Sequence, residues 1–374
     1  MYGATTIELC DMAEGKLGAY VHQKIHAWDY AACRVILEEL GCKFSDLEGN
    51  EISWTYNGGL VASIPQIQEE IVLNLRAIKA VEYKMKVYEQ HQQEAFNQLI
   101  SDFNDPNGRV MVIAHRGEWS DAPENSKQAV LNAMNLGVDM IEIDVQRSRD
   151  GKLIVMHDEW VDRTTNGGGR ICDLTLDELL SLKLKQSQGG EAAPLTDEHV
   201  PQFKEIMSLV RNKVFINLDK CWEIREDVYQ VLLETQTVKQ ALFKSDAELD
   251  EVEAFLNSKP IRPEYMHIIH ESNAHLLRNP DVVLRRLKPK AIEFIFEEEN
   301  SPFAAEAAFR LFRGKCRVWM NTMWDSLCAG HSDERSLKAS AEGWGWGIER
   351  GVNMIQTDCS PQLLAFLRKR RPVY

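Results

Sequence analysis

GVDMIEIDVQRSRDGKLIVMHDE (137–159) contains a run whose side chains alternate with a period of two. In MIEIDV (140–145), Ile141, Ile143 and Val145 share one face of an extended chain, and Met140, Glu142 and Asp144 share the other. Such a strand buries its apolar face against other elements and presents two carboxylates, one residue apart, on the opposite side. The turn signal RDG (149–151) then leads into LIVMHD (153–158), which reads as an extra hairpin strand paired with the first.

Similar runs recur on both sides: RVMVIA (109–114), VFINLD (214–219), ALFKS (241–245), YMHIIHE (265–271), AIEFIFE (291–297), RVWMN (317–321) and MIQTD (354–358). Helical stretches separate most of them, for example 126–136, 247–257, 302–313 and 361–370. Strand–helix alternation repeated eight times predicts an α/β fold of the (β/α)₈ TIM-barrel type over 109–374. LIVMHD would then lie above the barrel rim, and 164–201 is a long insertion containing at least one helix, TLDELLSL.

The chain divides near SDFNDPNG (101–108), where Asp, Asn, Pro and Gly cluster. Before it, Ile71, Leu75, Ile78, Val81, Met85 and Tyr88 step by three and four along a long amphipathic helix. Residues 27–40 read as a shorter helix, and EGNEISWTYNGG (48–59) as a turn or short hairpin. Residues 1–105 are therefore predicted to be a helical N-terminal extension without catalytic groups. It would serve packing or homo-oligomer formation through its helices, with a lid over the barrel mouth as the alternative.

Of the 374 residues, 44% are hydrophobic, enough for a sizeable core, and the formal net charge is −14. An acidic surface repels phosphate backbones, so no nucleic-acid partner is expected. A small anionic substrate is still admitted, because a local cation outweighs the global field. The first residues, MYGATTIELCDMAEGKLGAY, lack the basic and apolar regions of a signal peptide. No stretch is long and apolar enough for a transmembrane helix. The eight cysteines form no CxxC pair, so reduced thiols and a cytoplasmic location are expected.

In a β/α barrel, chemistry comes from the C-terminal ends of the strands. The first strand ends in His115–Arg116–Gly117, a proton carrier beside a fixed cation, though a structural histidine fits the same tripeptide. On the second, Glu142 and Asp144 enter the barrel together. Burying two neighbouring carboxylates costs several kcal/mol each, and like charges resist joint ionisation. A divalent cation resolves both problems, and oxygen-only ligands favour Mg²⁺, Ca²⁺ or Mn²⁺. A salt-bridged pair at the strand mouth is the alternative. Asp219, at the end of FINLD, completes a three-carboxylate set or caps the following helix. His157, in Met156–His157–Asp158, would overhang the mouth opposite His115. Two histidines around a metal-bound phosphate suit acid–base cleavage of a P–O bond.

Together, HRGEWSDAPENSKQAV (115–130), the segment from GVDMIEIDV through HDEWVDRTTNGGG (137–169), and DLTLDELLSL (173–182) resemble the glycerophosphodiester phosphodiesterase signature. That pattern has HRG, PEN, GxDxxExDVxxxxDG, HD and RTTxGxG in this order. The match is near-continuous over 110–182. It continues more loosely through VPQFKEIM (200–207), VWMN (318–321) and GVNMIQTD (351–358), and leaves 1–105 outside. The resemblance implies a (β/α)₈ barrel, one divalent cation, and hydrolysis of a glycerophosphodiester to glycerol 3-phosphate and an alcohol. By position, His115 and His157 correspond to its acid–base pair, Arg116 to its phosphate-binding arginine, and Glu142 and Asp144 to metal ligands.

One place departs from the pattern. Where the family has Glu-x-Lys on the third strand, this chain has Asp219 and Cys221, so the inward lysine is lost. Lys220, one residue off, should face away if the strand stays regular, and Lys244 at the end of the next strand could supply a replacement cation; Lys244 or Lys220 is expected to contact the substrate phosphate in place of the family lysine. With WMNTMWDSLCAGHSDE (319–334), this marks a divergent branch. Phospholipase-type cleavage of a lipid headgroup, or a non-catalytic barrel binding phosphorylated ligands, are the competing readings.

Overall fold

The computed structural model describes residues 5–370, apart from the side chains of residues 82, 88 and 89. The chain forms two compact units, Met1–His91 and Gln92–Tyr374.

The first unit is mixed rather than helical. Helix α1 (Thr5–Ala13), strand β1 (Ala19–Ile25), helix α2 (Ala27–Glu39) and strands β2 (Lys43–Ser45) and β3 (Gly58–Ser63) precede the long helix α3 (Pro65–Asn104). The strands form an antiparallel sheet in the order β1-β3-β2. Leu9, Met12, Tyr20, Ile25, Tyr30, Leu37, Phe44 and Leu60 are its core. The expected N-terminal helices are present as α1, α2 and α3; the three-stranded sheet beside them goes beyond the expected turn or hairpin, because strands of three to seven residues give little periodic signal. The hairpin reading also stopped short of β1, which pairs across the intervening helix. The stripe on α3 is present, but Ile78, Val81 and Met85 are exposed; the side chain of Tyr88 lies outside the described residues.

The second unit begins inside α3, fourteen residues before the expected boundary at 105. The last turns of α3 belong to the barrel because Phe103 joins Met111, Met140, Phe215, Leu242, Met266, Trp319 and Met354 in one buried cluster. Arg317, fully buried, donates to the carbonyls of Phe103 at 3.2 Å, Arg109 at 3.0 Å and Asn353 at 3.1 Å. It thereby satisfies helix-end and strand-end acceptors with a single guanidinium.

The barrel follows in sequence: β4 (Met111–Ala114), α4 (Lys127–Leu136), β5 (Met140–Arg147) and the hairpin strand β6 (Leu153–Val155). Within the insertion lie α5 (Leu176–Ser181) and a small antiparallel pair, β7 (Lys183–Lys185) and β8 (Leu195–His199). Then come α6 (Phe203–Val210), β9 (Phe215–Asp219), α7 (Arg225–Thr235), β10 (Ala241–Ser245), α8 (Leu249–Ser258), β11 (Glu264–Ile269), α9 (Pro280–Leu287), β12 (Ala291–Phe294), α10 (Glu306–Phe312) and β13 (Arg317–Asn321). Three short helices, α11 (Asp325–Cys328), α12 (Asp333–Lys338) and α13 (Trp344–Glu349), precede β14 (Met354–Thr357) and α14 (Ser360–Arg370).

Eight of these strands are parallel and closed, in the order β4-β5-β9-β10-β11-β12-β13-β14, with β14 returning to β4. β6 hangs antiparallel on β5, as the RDG turn predicted. Outward residues such as Ile141, Ile143, Leu218, Phe243 and Phe294 pack on the helices. Inward residues are apolar at the bottom and polar one level up, where Glu142, Asn217, Lys244, Glu293, Asn321 and Gln356 are all buried. That polar layer forms the floor of the mouth at the C-terminal ends.

Candidate active site

The register of β5 against β9 sets Asp144 beside Asp219 and Glu142 beside Asn217. One oxygen from each of Glu142, Asp144 and Asp219 lies within 4.8 Å of the others. Among the described residues this is the one acidic group arranged to hold a metal ion. Glu142 is fully buried, and its Oε1 has no hydrogen-bond partner. Burial, reinforced by Asp144 and Asp219, holds its carboxyl well above the usual carboxylate range. A divalent cation removes that cost, so the oxygen-only donor set and its orphaned buried oxygen fit a hard cation.

Lys244 reaches the same place from β10. Its Nζ lies 2.9 Å from Asp219 Oδ2 and 3.9 Å from Glu293 Oε2. Burial opposes the charged ammonium, but Asp219, Glu293 and Glu142 outweigh it and raise its pKa. Burial likewise pushes the Asp219 carboxyl up, yet Lys244 pulls it below its ordinary value. Lys220 sits differently. The strand ends at Asp219, Lys220 turns into the left-handed region at φ +55°, and its side chain is exposed. Cys221 then points into the helix-side core. The cation beside Asp219 at the end of β9 therefore comes from β10.

His115 directly follows β4 and is buried. Its Nδ1 pairs with Asp358 Oδ1 at 2.7 Å, and its Nε2 lies 4.0 Å from Glu142 Oε2. The rings of Trp324 and the imidazole stand perpendicular, with centroids 5.4 Å apart. The chain then makes a tight left-handed turn, Arg116 at φ +55° and Gly117 at φ +85°. A Cβ on Gly117 would stand 2.8 Å from the backbone of Ala129, so only glycine fits. This turn aims the Arg116 backbone N–H at Glu142 Oε2, 3.0 Å away. The Arg116 guanidinium donates to both oxygens of Glu124 at 3.0 Å, and its Nε lies 3.5 Å from Asp144 Oδ2 without forming a hydrogen bond. Asn125 clamps Asp144 from both sides, donating to Oδ2 at 2.8 Å and accepting from its backbone N–H at 3.2 Å.

His157 follows β6 and is partly exposed. Its Nδ1 pairs with Asp158 at 2.6 Å. Asp158 also accepts from Arg163 Nε at 2.6 Å, and Arg163 donates to Glu124 at 2.6 Å. Hydrogen bonds from Arg163, then from His157, hold the Asp158 carboxyl far below its usual range. A continuous network therefore joins His157, Asp158, Arg163, Glu124 and Arg116.

Residues 115–299 match the family model described as the glycerophosphoryl diester phosphodiesterase family. A glycerophosphodiester phosphodiesterase of Caldanaerobacter subterraneus is 44% identical over 108 residues, 29% of this chain and 43% of that protein. The barrel belongs to the glycerophosphodiester phosphodiesterase family. Glycerophosphodiester phosphodiesterase 1 of Mus musculus is 38% identical over 115 residues, 30% of this chain and 34% of that one. The chain thus spans less than half the length of these family members. A family structure from Parabacteroides distasonis superposes with a TM-score of 0.59 at 20% identity, covering 75% of this chain and 93% of that one, and it shares the fold. Residues 265–367 also match a domain of unknown function. Residues 1–80, outside the expected resemblance, match the inositol monophosphatase family model.

The structure thus gathers six of the eight expected residues, His115, Arg116, Glu142, Asp144, Asp219 and Lys244, into one connected group. It ties His157 to them through the network and leaves Lys220 at the surface. Reading motifs alone missed Asp358, Glu124, Arg163 and Glu293 as partners. Glu293 was accessible from alternation in AIEFIFE, where it falls on the inward face. Asp358 gave no such signal, since its partner lies 243 residues away.

Proposed function

We propose that the barrel hydrolyses a phosphodiester, in particular a glycerophosphodiester to glycerol 3-phosphate and an alcohol. The observation that carries this is the set of three carboxylates within 4.8 Å of one another, with the His115 Nε2 4.0 Å from Glu142. Family membership supports the same reading. A phosphodiesterase of Oleispira antarctica, a fold relative at TM-score 0.50 and 20% identity covering 69% of this chain and 96% of that one, was solved with sn-glycerol-3-phosphate.

In this reading Glu142, Asp144 and Asp219 hold one divalent cation, Mg²⁺, Ca²⁺ or Mn²⁺. When bound, it would draw charge from a phosphoryl oxygen and help fix the diester in place. Lys244 supplies a second positive centre, and the Arg116 guanidinium, whose Nε makes no hydrogen bond, a third, so charge building on the phosphoryl oxygens is met by fixed cations. His115 and His157 each keep a carboxylate on Nδ1, which assigns the proton to that nitrogen and leaves Nε2 free for proton transfer. One takes the proton from the attacking oxygen of water or of a substrate hydroxyl. The other protonates the alcohol oxygen as its bond to phosphorus breaks.

The test is direct: purified protein with glycerophosphocholine and glycerophosphoinositol, following glycerol 3-phosphate, and with bis(4-nitrophenyl) phosphate, following 4-nitrophenol, each with and without Mg²⁺, Ca²⁺ or Mn²⁺. Full activity after EDTA treatment overturns the metal assignment. Binding of diesters without turnover under every metal favours a non-catalytic barrel.

A further inference from the structure

The divergent stretch WMNTMWDSLCAGHSDE (319–334) runs from the end of β13 into α12 and has no part in the reading above. Its structure is organised around Asp333, which is 5% exposed. Asp333 Oδ1 accepts from Thr322 Oγ1 at 2.6 Å, Thr357 Oγ1 at 2.7 Å and Trp344 Nε1 at 2.9 Å. Its Oδ2 accepts the backbone N–H of Asp358 at 2.8 Å. One carboxylate therefore gathers donors from the ends of β13 and β14 and from α13. The same stretch places Trp324 in a T-shaped contact with His115.

A buried carboxylate with four donors is rigid, because rotating it would strand several polar groups away from water. The donor on Oδ2 belongs to the residue whose side chain holds His115 Nδ1 at 2.7 Å. We propose that Asp333 is a positioning residue for His115: it fixes the backbone of Asp358, so that the Asp358 carboxylate holds the imidazole with Nε2 toward Glu142. The insertion between β13 and β14 is then a bracket dedicated to one histidine. His157 has its own, separate support in Asp158 and Arg163. This inference rests on His115 carrying a proton in the reaction.

The experiment is a double-mutant cycle on the full chain with glycerophosphocholine, whose alcohol leaving group needs both proton carriers: wild type, Asp333→Asn, His115→Ala and the double variant. Asp333→Asn should lower kcat about 10- to 100-fold, the usual cost of losing an outer-shell partner, with KM changed less than about twofold. In the His115→Ala background the same substitution should cost less than about threefold, because the group it positions is gone. Equal losses in both backgrounds, or no loss in wild type, overturn the proposal. If His115→Ala itself turns over at the wild-type rate, it is the function reading that fails. Thr322→Val, which removes one of the four donors and spares the Asp358 contact, provides the same cycle should Asp333→Asn not fold. A smaller kcat loss confined to the His115 background supports the bracket; no loss, or loss in both backgrounds, overturns it.

Discussion

Lys244 Nζ stands 2.9 Å from Asp219 Oδ2, joining the ends of two neighbouring strands inside the barrel mouth. The pair brings a cation to a floor that otherwise carries Glu142, Asp144, Asp219 and Glu293. Removing one partner of a buried pair leaves the other charge uncompensated. Lys244→Ala should therefore cost about 2 kcal/mol in urea unfolding, below the roughly 3–5 kcal/mol usual for a fully buried pair, because Asp219 is partly exposed. It should also lower kcat/KM by at least about tenfold. Lys220→Ala, at the surface, should stay within about twofold on the same assay. Near-normal values for both variants would leave Arg116 and the cation as the only positive partners of the phosphate.

Glu142→Gln tests the metal assignment. The variant keeps the shape and removes the charge that needs a cation. Calorimetric titration with Mg²⁺, Ca²⁺ and Mn²⁺ should show weaker binding than wild type, and excess metal should restore part of the activity. Equal affinity in the two proteins would place the cation elsewhere.

The two histidines should be separable by leaving group. Each alanine variant should lose about 10²–10⁴ in rate on a glycerophosphodiester. The one that has lost the acid should recover on bis(4-nitrophenyl) phosphate, because 4-nitrophenolate departs without a proton. Recovery of both variants, or of neither, contradicts a division into one acid and one base. The pH–rate profile of the wild type should be bell-shaped.

His267 lies on the outward face of β11, fully buried, with Nδ1 against Tyr265 Oη at 2.9 Å and Nε2 unpartnered. Burial pushes its pKa down to about 4. The unfolded chain, with an ordinary histidine near 6.5, binds a proton that the folded chain refuses between those two values. Stability should therefore fall as pH drops from about 6.5 to about 4, by roughly 3 kcal/mol from this group. Urea unfolding of wild type and His267→Gln across that range checks it: the variant should show a shallower slope. Parallel slopes would mean that His267 protonates freely in the fold.

The parts of this molecule legible from the sequence are those set by local geometry. An extended chain alternates its side chains, so MIEIDV alone dictated that Glu142 and Asp144 share a face opposite Ile141 and Ile143. Eight such runs between helical stretches dictated a closed parallel barrel, and barrel closure dictated which strand ends carry chemistry. Motif spacing marked His115, Arg116 and His157. Alternation also implied that Lys220 faces away from the mouth, but not that the chain leaves the strand there.

Contacts between distant segments were decided only by the tertiary structure. β14 returns to β4, which sets Asp358 against His115 across 243 positions of sequence. Lys244 on β10 reaches Asp219 on β9 because adjacent inward side chains at that level converge on the narrow interior of the barrel. In the first unit, the stripe on α3 announced an apolar face, yet Ile78, Val81 and Met85 remain exposed. Periodicity records which side of a helix is apolar; whether anything covers that side depends on where the rest of the chain goes.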